Sequence, residues 1–524
     1  MNLLEQLQAE NEALKSKIKE NNKTISFKNE KIASLEKLNS WYIEQLKLRQ
    51  KEKFGKSSEK CDENQLTLFD LFNEAETLRE PLSVEPTEET LIPAHKRKKA
   101  KRGASFSNLP VETIEYTLEN CEKICDICGE VLTDMKKEVR KELKIVPAQI
   151  SIIEHVTYVY SCRNCDKNGE SGFIKSAASP NALVPKSLVS PSVLAYILNQ
   201  KYANAMPLYR QEQEWMRLGV NLTRQNLSNW ILKAGSLLKP LERALKKELL
   251  SNELLHADET TLEVLHEPGR ETSAKSYMWL YRTSKDATRP VILYDYQVGR
   301  SGDYAVKFLK GWQGSYLHCD GFSGYKKFID KTLCGCLVHA KRKFHEASKI
   351  NPDNEHAKQG ESYIRKLFAL EAKADESKLS LEERSVLRET ESKPVLEAFY
   401  KWIDKISLKT LPQSLLGKAI TYAINQKEYL SSFLLDSRIQ LSNNLAEQSI
   451  KMFVIGRKNF LFSNTPNGAG ASATIYGIIQ TAIANNLKPL YYLEYIFEQM
   501  QINKELEISE ILPWSDKIPN KCKI

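Results

Sequence analysis

Two aspartates stand directly after short apolar runs of the kind that form buried β-strands. Asp258 follows residues 254–257, and Asp320 ends the run of residues 315–319. A carboxylate at the end of a buried strand is unfavourable unless it is paired or binds a metal ion. Two carboxylates that come together also repel each other, and a divalent cation relieves this repulsion. Both aspartates are therefore candidate ligands of a hard cation.

A third acid, Glu447, lies in Asn443-Asn444-Leu445-Ala446-Glu447 and allows two interpretations. It could join the two aspartates as a metal ligand. Alternatively, Asn444 could be a helix N-cap and Glu447 the third residue of a capping box, with Lys451 as an i, i+4 partner. The residues alone leave both interpretations open.

Four of the ten cysteines form two C-x-x-C pairs, Cys125 with Cys128 and Cys162 with Cys165. Each pair can supply two corners of a tetrahedral Zn²⁺ site, and two pairs leave no open position, as in a structural site. The alternative is unrelated buried thiols or one redox pair, and Cys121 is a spare thiol nearby. The spacing predicts structural zinc.

Cys336 and His339 also have zinc-ligand spacing, but no second pair accompanies them. We interpret them as a buried thiol and a polar residue at a helix start.

Clustered cations mark candidate DNA contacts. A basic block of six cations in seven positions cannot bury itself, so it is either a phosphate-contacting arm or a solvated linker. Basic residues also follow two of the acids in sequence, as DNA contacts or as ordinary surface charges. The block contains Lys96, Arg97, Lys98, Lys99, Lys101 and Arg102; the others are Lys341, Arg342, Lys343, Arg457 and Lys458.

A chain of 524 residues is too long for one core, so several units must position these residues. Residues 1–50 carry apolar residues at heptad spacing, which predicts a coiled-coil dimer or larger assembly; a helix packed on its own protein is the alternative. Residues 51–110 are predicted to be a linker with a basic arm, and residues 111–180 a zinc-ribbon-like module with a strand at 150–160. Residues 187–250 form short helices, either a helix-turn-helix or helical packing without DNA contact.

Residues 251–465 alternate strands and helices in an order that matches the ribonuclease H-like fold: three strands, a helix, then a strand. In that fold the first and fourth strands are neighbours, so Asp258 and Asp320 would meet at one edge of the sheet. A charged helical insertion is predicted at about 355–430, and residues 466–524 are predicted to be helical. The predicted fold class is thus multidomain α+β.

Composition narrows the function classes. Hydrophobic residues make up 41% of the chain, which suits globular domains, and no run of about 18 apolar residues predicts a membrane span. The N-terminal residues include an early acid, Glu5, and lack the apolar core of a secretory signal. We therefore expect a cytoplasmic protein that has no membrane partner.

Taken in order, these motifs resemble the insertion sequence 66 family of transposases over most of the chain. The Asp258 motif His256-Ala257-Asp258-Glu259-Thr260, the Asp320 motif His318-Cys319-Asp320-Gly321 and the Glu447 motif are similar to the family's three acidic motifs. Cys336 and His339 fit a C-x-x-H element of several transposase groups. Two departures are Ser442, where an Asp is expected, and Lys451, where Arg is common. Further similar blocks are residues 53–60, 124–129, 160–162, 201–212 and 456–462.

The resemblance implies a DDE transposase in which Asp258, Asp320 and Glu447 bind Mg²⁺ or Mn²⁺ for DNA cleavage and strand transfer, beside a structural Zn²⁺. It also implies element terminal inverted repeats and target DNA as partners, a coiled-coil dimer, and in some cases small accessory proteins. Two alternatives stay open: an inactive zinc-containing DNA-binding protein, and a ribonuclease H-like nuclease.

Overall fold

A computed structural model describes residues 3–54, 150–161, 174–176, 180–503 and 505–524. The basic block at 96–102, nearly all of the predicted linker and the four cysteines of the predicted zinc site lie outside these residues. The chain divides into two compact units, one formed by residues 1–56 and 155–524 and the other by residues 57–154. Of the second unit, the structure describes only residues 150–154, which are exposed and lack regular secondary structure.

The N-terminal helix α1 spans Leu3–Phe54. The apolar residues of its heptad pattern are mostly exposed in the single chain. They are, with their exposed fractions, Leu14 (55%), Ile18 (58%), Ile25 (54%), Ile32 (51%), Leu35 (56%) and Leu46 (61%). Glu44, near the helix end, accepts a hydrogen bond from the backbone N–H of Leu415 at 2.6 Å. The helix is as predicted, and a coiled-coil partner for its apolar residues remains a prediction.

A small antiparallel pair precedes the helical segment: β1, Val159–Ser161, pairs with β2, Ile174–Ser176. The expectation of a strand over residues 150–160 was wrong for most of that range. Residues 150–158 are exposed and have no regular structure, so their Ile and Val side chains lack the packed surface that stabilises a strand.

The segment after residue 187 is helical, as predicted. Ser190 caps the first helix and Thr223 forms a capping box with Asn226. Gly219 ends the second helix at a φ of +82°, a backbone conformation that favours glycine. The elements are α2 Pro191–Leu198, a π-helical turn Asn199–Ala203, α3 Leu208–Arg217, α4 Arg224–Leu237 and α5 Lys239–Leu250.

A mixed five-stranded sheet, of order β5-β4-β3-β6-β7, forms the centre of the α+β region. β3 pairs antiparallel with β4 and parallel with β6, so the first and fourth strands of this sheet are neighbours, as predicted. The strands are β3 Leu254–Glu263, β4 Lys275–Thr283, β5 Ile292–Gln297, β6 Tyr316–His318 and β7 Thr332–Cys334.

Asp258 lies within β3 and not at its end, contrary to the expectation. Antiparallel pairing with β4 continues as far as Glu263, which extends the strand five residues beyond Asp258. The parallel pairing with β6, however, stops at His256. Asp258 therefore lies where the parallel part of the sheet ends, although its own strand continues.

A helical insertion separates the sheet from the Glu447 helix. Buried Arg388 fixes it: its guanidinium binds Glu371 and donates to the carbonyls of Phe433, Asp436 and Ile439. The elements from β5 to the end of the insertion are α6 Gly302–Phe308, a 3-10 turn Ser323–Lys327, α7 Leu337–Ile350, α8 Glu355–Glu376, α9 Leu381–Leu387, a π-helical turn Arg388–Ser392, α10 Lys393–Ser407, α11 Leu415–Asn425, α12 Lys427–Ser431 and a 3-10 turn Ser432–Leu434.

The C-terminal helices close the core. α14 is buried along much of its length and packs on β5 and α4, which covers the apolar face of α4. Among the described helices, none is both long and apolar enough to cross a membrane. The remaining elements are α13 Asn444–Phe460, α14 Pro466–Ala484, α15 Pro489–Ile502 and 3-10 turns at Ile508–Ile511 and Asn520–Cys522.

Candidate active site

The register of β3 and β6 brings Asp258 and Asp320 together. His256 on β3 pairs with His318 on β6 in parallel. Each aspartate follows its histidine by two residues, and side chains two residues apart along a strand share a face. The two carboxylates therefore approach each other where β6 ends, as the sequence predicted.

The surroundings of Asp258 disfavour the negative charge of its carboxylate. Burial raises the pKa of its carboxyl well above the usual range, and the negative charges of Glu259, Asp320 and Glu447 raise that pKa further. A backbone hydrogen bond from Glu259 at 2.8 Å opposes the shift. Asp258, Asp320 and Glu447 are the three acids that the sequence singled out, and their charges contribute to one negative site.

Glu447 lies in the first turn of α13. The alternative interpretation of this residue as part of a capping box was wrong. The N-cap is Asn443 and not Asn444, the cap has no side-chain hydrogen bond, and the Glu447 N–H donates to the Asn443 carbonyl at 3.1 Å. The Glu447 carboxylate is thus free of a capping role; its Oε1 lies 3.8 Å from Nε2 of His339, and its charge also acts on Asp258.

Asn443 ties the Glu447 helix to the Asp258 strand. Its side chain is buried; Nδ2 donates to the carbonyl of Ala257 at 2.9 Å, and Oδ1 lies 2.9 Å from Nδ1 of His256. Because Nδ2 is the donor to Ala257, Oδ1 must accept, and His256 carries its proton on Nδ1. The Asn443 backbone N–H also donates to Sγ of Cys336 at 3.3 Å. One residue thus joins β3, α7 and α13.

Further hydrogen bonds hold α13 against the sheet. Nη1 of Arg282, on β4, donates to the carbonyl of Leu445 at 3.1 Å and to Oγ of Ser449 at 2.7 Å. The Tyr294 hydroxyl, on β5, donates to the Ser449 carbonyl at 2.6 Å. These contacts flank Glu447 in sequence and limit how far its helix can slide along the sheet.

A second buried acid, Glu259, is neutralised by neighbours. Its carboxylate accepts a hydrogen bond from the Tyr325 hydroxyl at 2.5 Å and from Nε and Nη2 of Arg300 at 2.8 and 2.6 Å. Nη2 of Arg300 also lies 3.9 Å from Asp320, and its guanidinium covers the Phe322 ring at 4.0 Å. Arg300 therefore places a fixed positive charge beside the acidic site.

Behind the aspartates, the rings of His256 and His318 stack with centroids 4.8 Å apart. Burial lowers the pKa of His256 to about 4 and that of His318 well below its usual range. Both rings are therefore neutral near pH 7. Each aspartate therefore follows a buried, uncharged ring by two residues in sequence.

Glu447 also belongs to a second group of potential ligands, with Cys336 and His339. One ligand atom from each lies within 4.8 Å of the others, a closer grouping than the three acids have. Cys336 is buried and is the N-cap of α7, and His339 is in the helix's first turn. The interpretation of these two as a buried thiol and a helix-start residue was correct for their positions, but it missed their contact with the acidic site.

The predicted basic DNA contacts differ in what they do. Nη1 of Arg457 donates to Oγ1 of Thr260 at 3.2 Å and to the carbonyl and Oγ1 of Thr261, so this guanidinium joins α13 to β3. Lys458, next to it, is exposed, and Arg342 is half-buried on α7 beside His339. DNA contacts by Arg342, Arg457 and Lys458 remain predictions.

Sequence reasoning assigned no role to Glu259, Arg300 or Asn443. Glu259 and Asn443 do lie inside the quoted acidic motifs, which is a signal that could have found them. Arg300 lies 41 residues from its partner Glu259, and nothing local in sequence marks that contact.

Family comparisons place most of the chain within one group. Residues 186–471 match the model described as "Transposase IS66 family". Residues 122–166 match a "zinc-finger binding domain of transposase IS66", and this range contains all four cysteines of the two C-x-x-C pairs. Residues 41–114 match "Transposase C of IS166 homeodomain".

Relatives among curated proteins come from Sinorhizobium fredii. The chain is 29% identical to the uncharacterized protein y4qI over 508 residues, covering 93% of the chain and 90% of the relative. It is 27% identical to y4hP, covering 75% and 73% of the two chains, and 27% identical to y4jD, covering 80% and 83%. These similarities span nearly all of the regions described above.

The Asn443 tie predicts a stability effect. Asn443→Ala leaves two buried polar groups, the His256 Nδ1–H and the Ala257 carbonyl, without partners, so we expect a loss of about 2–4 kcal/mol in the free energy of unfolding. The neighbouring exposed residue provides the control: Asn444→Ala should change the free energy of unfolding by no more than about 0.5 kcal/mol. Denaturant titration followed by circular dichroism measures both, and equal effects would contradict the role given to Asn443.

The raised pKa of Asp258 predicts a second effect. A carboxyl whose pKa is higher in the folded than in the unfolded state destabilises the fold as pH rises above the ordinary Asp value. Asp258→Asn should therefore raise the melting temperature at pH 7 without divalent ions, and this gain should shrink as pH falls towards 4. Added Mg²⁺ should stabilise the wild type but not this variant.

Asp295→Asn is the matched control, because Asp295 is also buried with a raised pKa but lies on β5, outside the acidic cluster. That variant should keep the Mg²⁺ effect. A wild-type melting temperature that Mg²⁺ leaves unchanged would contradict the metal-site interpretation.

Proposed function

The chain belongs to the IS66 family of transposases, and from that membership we propose that it binds the ends of its insertion element, cuts DNA there and joins the cut strands to target DNA. It is an enzyme of the DDE transposase class, and this class implies DNA binding and divalent metal ions. The proposed steps are cleavage and strand transfer by phosphoryl transfer at Asp258, Asp320 and Glu447.

One observation carries the proposal: Asp258, Asp320 and Glu447, distant in sequence, contribute their charges to one negative site. The pKa of Asp258 is raised by both other acids as well as by burial. Such a cluster is unfavourable unless a cation balances it, and carboxylate oxygens are the ligands that Mg²⁺ and Mn²⁺ favour. The residues present therefore suit a hard divalent cation.

The fold supports the same proposal. Antiparallel β3, β4 and β5 followed by parallel β6 and β7 have the strand order of a ribonuclease H-like domain, and the helical insertion lies between Asp320 and Glu447. We assign residues 251–465 to that fold. The insertion packs on α7 and on the β7 side of the sheet.

Each residue then has a defined part. When bound, divalent cations neutralise developing charge and activate the attacking water or 3′-hydroxyl. Asp258, Asp320 and Glu447 would hold them. Asn443 keeps Glu447 in line with Asp258, and Arg300, anchored by Glu259, keeps a positive charge at the edge where a DNA phosphate would enter. The stacked histidines are buried and neutral near pH 7, so they supply no proton.

DNA binding is proposed for several regions outside the acidic site. Cys125, Cys128, Cys162 and Cys165 would hold a structural Zn²⁺ that shapes a module for recognising the terminal inverted repeats. The basic block at 96–102 would add salt-dependent affinity by contacting phosphates. In the helical segment, the α4 face that meets α14 is covered, so any recognition surface must use its other face.

Pairing of two protomers is proposed through α1. Its heptad leucines and isoleucines are exposed over most of its length, and a second copy of this helix would cover them. Two joined protomers could hold two element ends at once. Accessory proteins of the element are a further proposed partner.

Labelled element ends incubated with the full-length protein and Mg²⁺ test the proposal. We expect cleavage at the end junction, and a drop of more than about 100-fold in Asp258→Asn and Glu447→Gln with binding of the ends retained. Asp303→Asn is the control, because this exposed acid pairs with Lys327 and lies outside the cluster. Gel shift and product analysis supply both readouts.

Three results would argue against the proposal. Cutting that is independent of element ends would indicate a general nuclease. Binding without cutting in the wild type would indicate a DNA-binding protein. Cleavage by Asp258→Asn at the wild-type rate would show that the site assignment is wrong.

A further inference from the structure

The group formed by Cys336, His339 and Glu447 offers three different ligand chemistries at one place. It contains a thiol, an imidazole and a carboxylate, with one ligand atom of each within 4.8 Å of the others. Nε2 of His339 lies 3.8 Å from Oε1 of Glu447, and this oxygen is buried without a hydrogen-bond partner among the described residues.

Two helix starts hold this group in place. Cys336 is the N-cap of α7 and His339 follows three residues later, so both side chains lie on the same face of the helix start. Glu447 approaches from the first turn of α13. The Leu337 N–H donates to the Leu441 carbonyl at 2.9 Å, and the Asn443 N–H donates to Sγ of Cys336 at 3.3 Å. The backbones on the two sides are therefore joined directly.

The donor set discriminates between metals. Mg²⁺ prefers oxygen ligands in octahedral geometry, whereas Zn²⁺ accepts sulfur, nitrogen and oxygen together. In a tetrahedral zinc site, bond lengths of about 2.0–2.3 Å place neighbouring ligand atoms roughly 3.3–3.6 Å apart. The His339–Glu447 separation of 3.8 Å is close to that, and rotation of Glu447 can shorten its distance to Cys336. Burial raises the pKa of the Cys336 thiol to about 11, and the Asn443 N–H that donates to sulfur opposes this rise, so a bound ion must displace the thiol proton.

We propose that Cys336, His339 and Glu447 form a Zn²⁺ site, and that zinc bound there inhibits the enzyme by withdrawing Glu447 from Asp258 and Asp320. The inhibitory part rests on the proposed function of these acids, whereas the binding part does not. Glu447 thus belongs to two sites of different metal preference. A rise in free Zn²⁺ would switch it from the oxygen-only site to the mixed one and stop DNA cleavage.

Zinc binding is tested on the full-length protein without DNA, by competition with a chromophoric chelator. We expect one Zn²⁺ equivalent beyond those held elsewhere in the chain. Cys336→Ser and His339→Gln should each weaken this equivalent by at least about tenfold. Cys522→Ser is the matched control, since Cys522 is another buried free thiol and lies in the C-terminal turn; it should bind as the wild type does.

Circular dichroism checks that each variant is folded, and His339→Gln, at a partly exposed position, keeps the test valid if Cys336→Ser unfolds. Equal zinc stoichiometry and affinity in the wild type and folded His339→Gln would overturn the proposal. Cobalt substitution adds a spectroscopic test: the thiolate-to-cobalt band should be weaker in Cys336→Ser than in Cys522→Ser, and equal bands would also overturn it.

Cleavage assays separate this inference from the proposed function. If the wild type cuts element ends, micromolar Zn²⁺ should inhibit cutting supported by Mg²⁺, and cutting that is insensitive to Zn²⁺ at concentrations that fill the site would refute the inhibitory role. If the protein cuts no DNA but loses the zinc equivalent in Cys336→Ser, the proposed function fails and the zinc site stands.

Discussion

Mutual repulsion among partly buried carboxylates is the constraint on which this structure depends. Asp258 is surrounded by Glu259, Asp320 and Glu447, and both burial and these charges raise its pKa. The fold opposes part of this repulsion. Arg300 and Tyr325 bind Glu259 directly, and their hydrogen bonds counteract the rise in the pKa of Glu259 that burial and Asp320 cause. Arg300 also lies 3.9 Å from Asp320, and Asp258, Asp320 and Glu447 form a site suited to added positive charge.

The surrounding structure keeps these acids from moving apart. Asp258 and Asp320 are fixed by neighbouring parallel strands, but Glu447 comes from a helix nearly 130 residues further along. Asn443 joins that helix to β3 by hydrogen bonds, and Arg282 and Tyr294 join it to β4 and β5. Arg388 anchors the insertion to the segment before α13, so the long insertion limits the position of Glu447 and does not loosen it.

Much of this arrangement could be predicted from the sequence, because strand periodicity and acids beside apolar runs are local signals. From these local signals we predicted the strand order and the approach of Asp258 to Asp320. Local signals failed where tertiary pairing decides. β3 extends to Glu263 because β4 pairs with it. No capping box forms at Glu447, because the N-cap is Asn443, one residue earlier than expected, and its buried side chain binds β3. Arg300 contacts Glu259, and His339 contacts Glu447. Both contacts join segments that are distant in sequence, so no short-range pattern predicts them.

The central claim is that Asp258, Asp320 and Glu447 act together as ligands of hard cations. Anomalous diffraction from crystals of the full-length protein grown with Mn²⁺ tests it most directly, because Mn²⁺ replaces Mg²⁺ at oxygen sites and scatters anomalously. The account predicts a manganese peak bound by both aspartates, with Glu447 coordinating it directly or through a second ion beside it. A peak elsewhere, or one held by the aspartates while Glu447 stays turned to His339 without zinc, would contradict it.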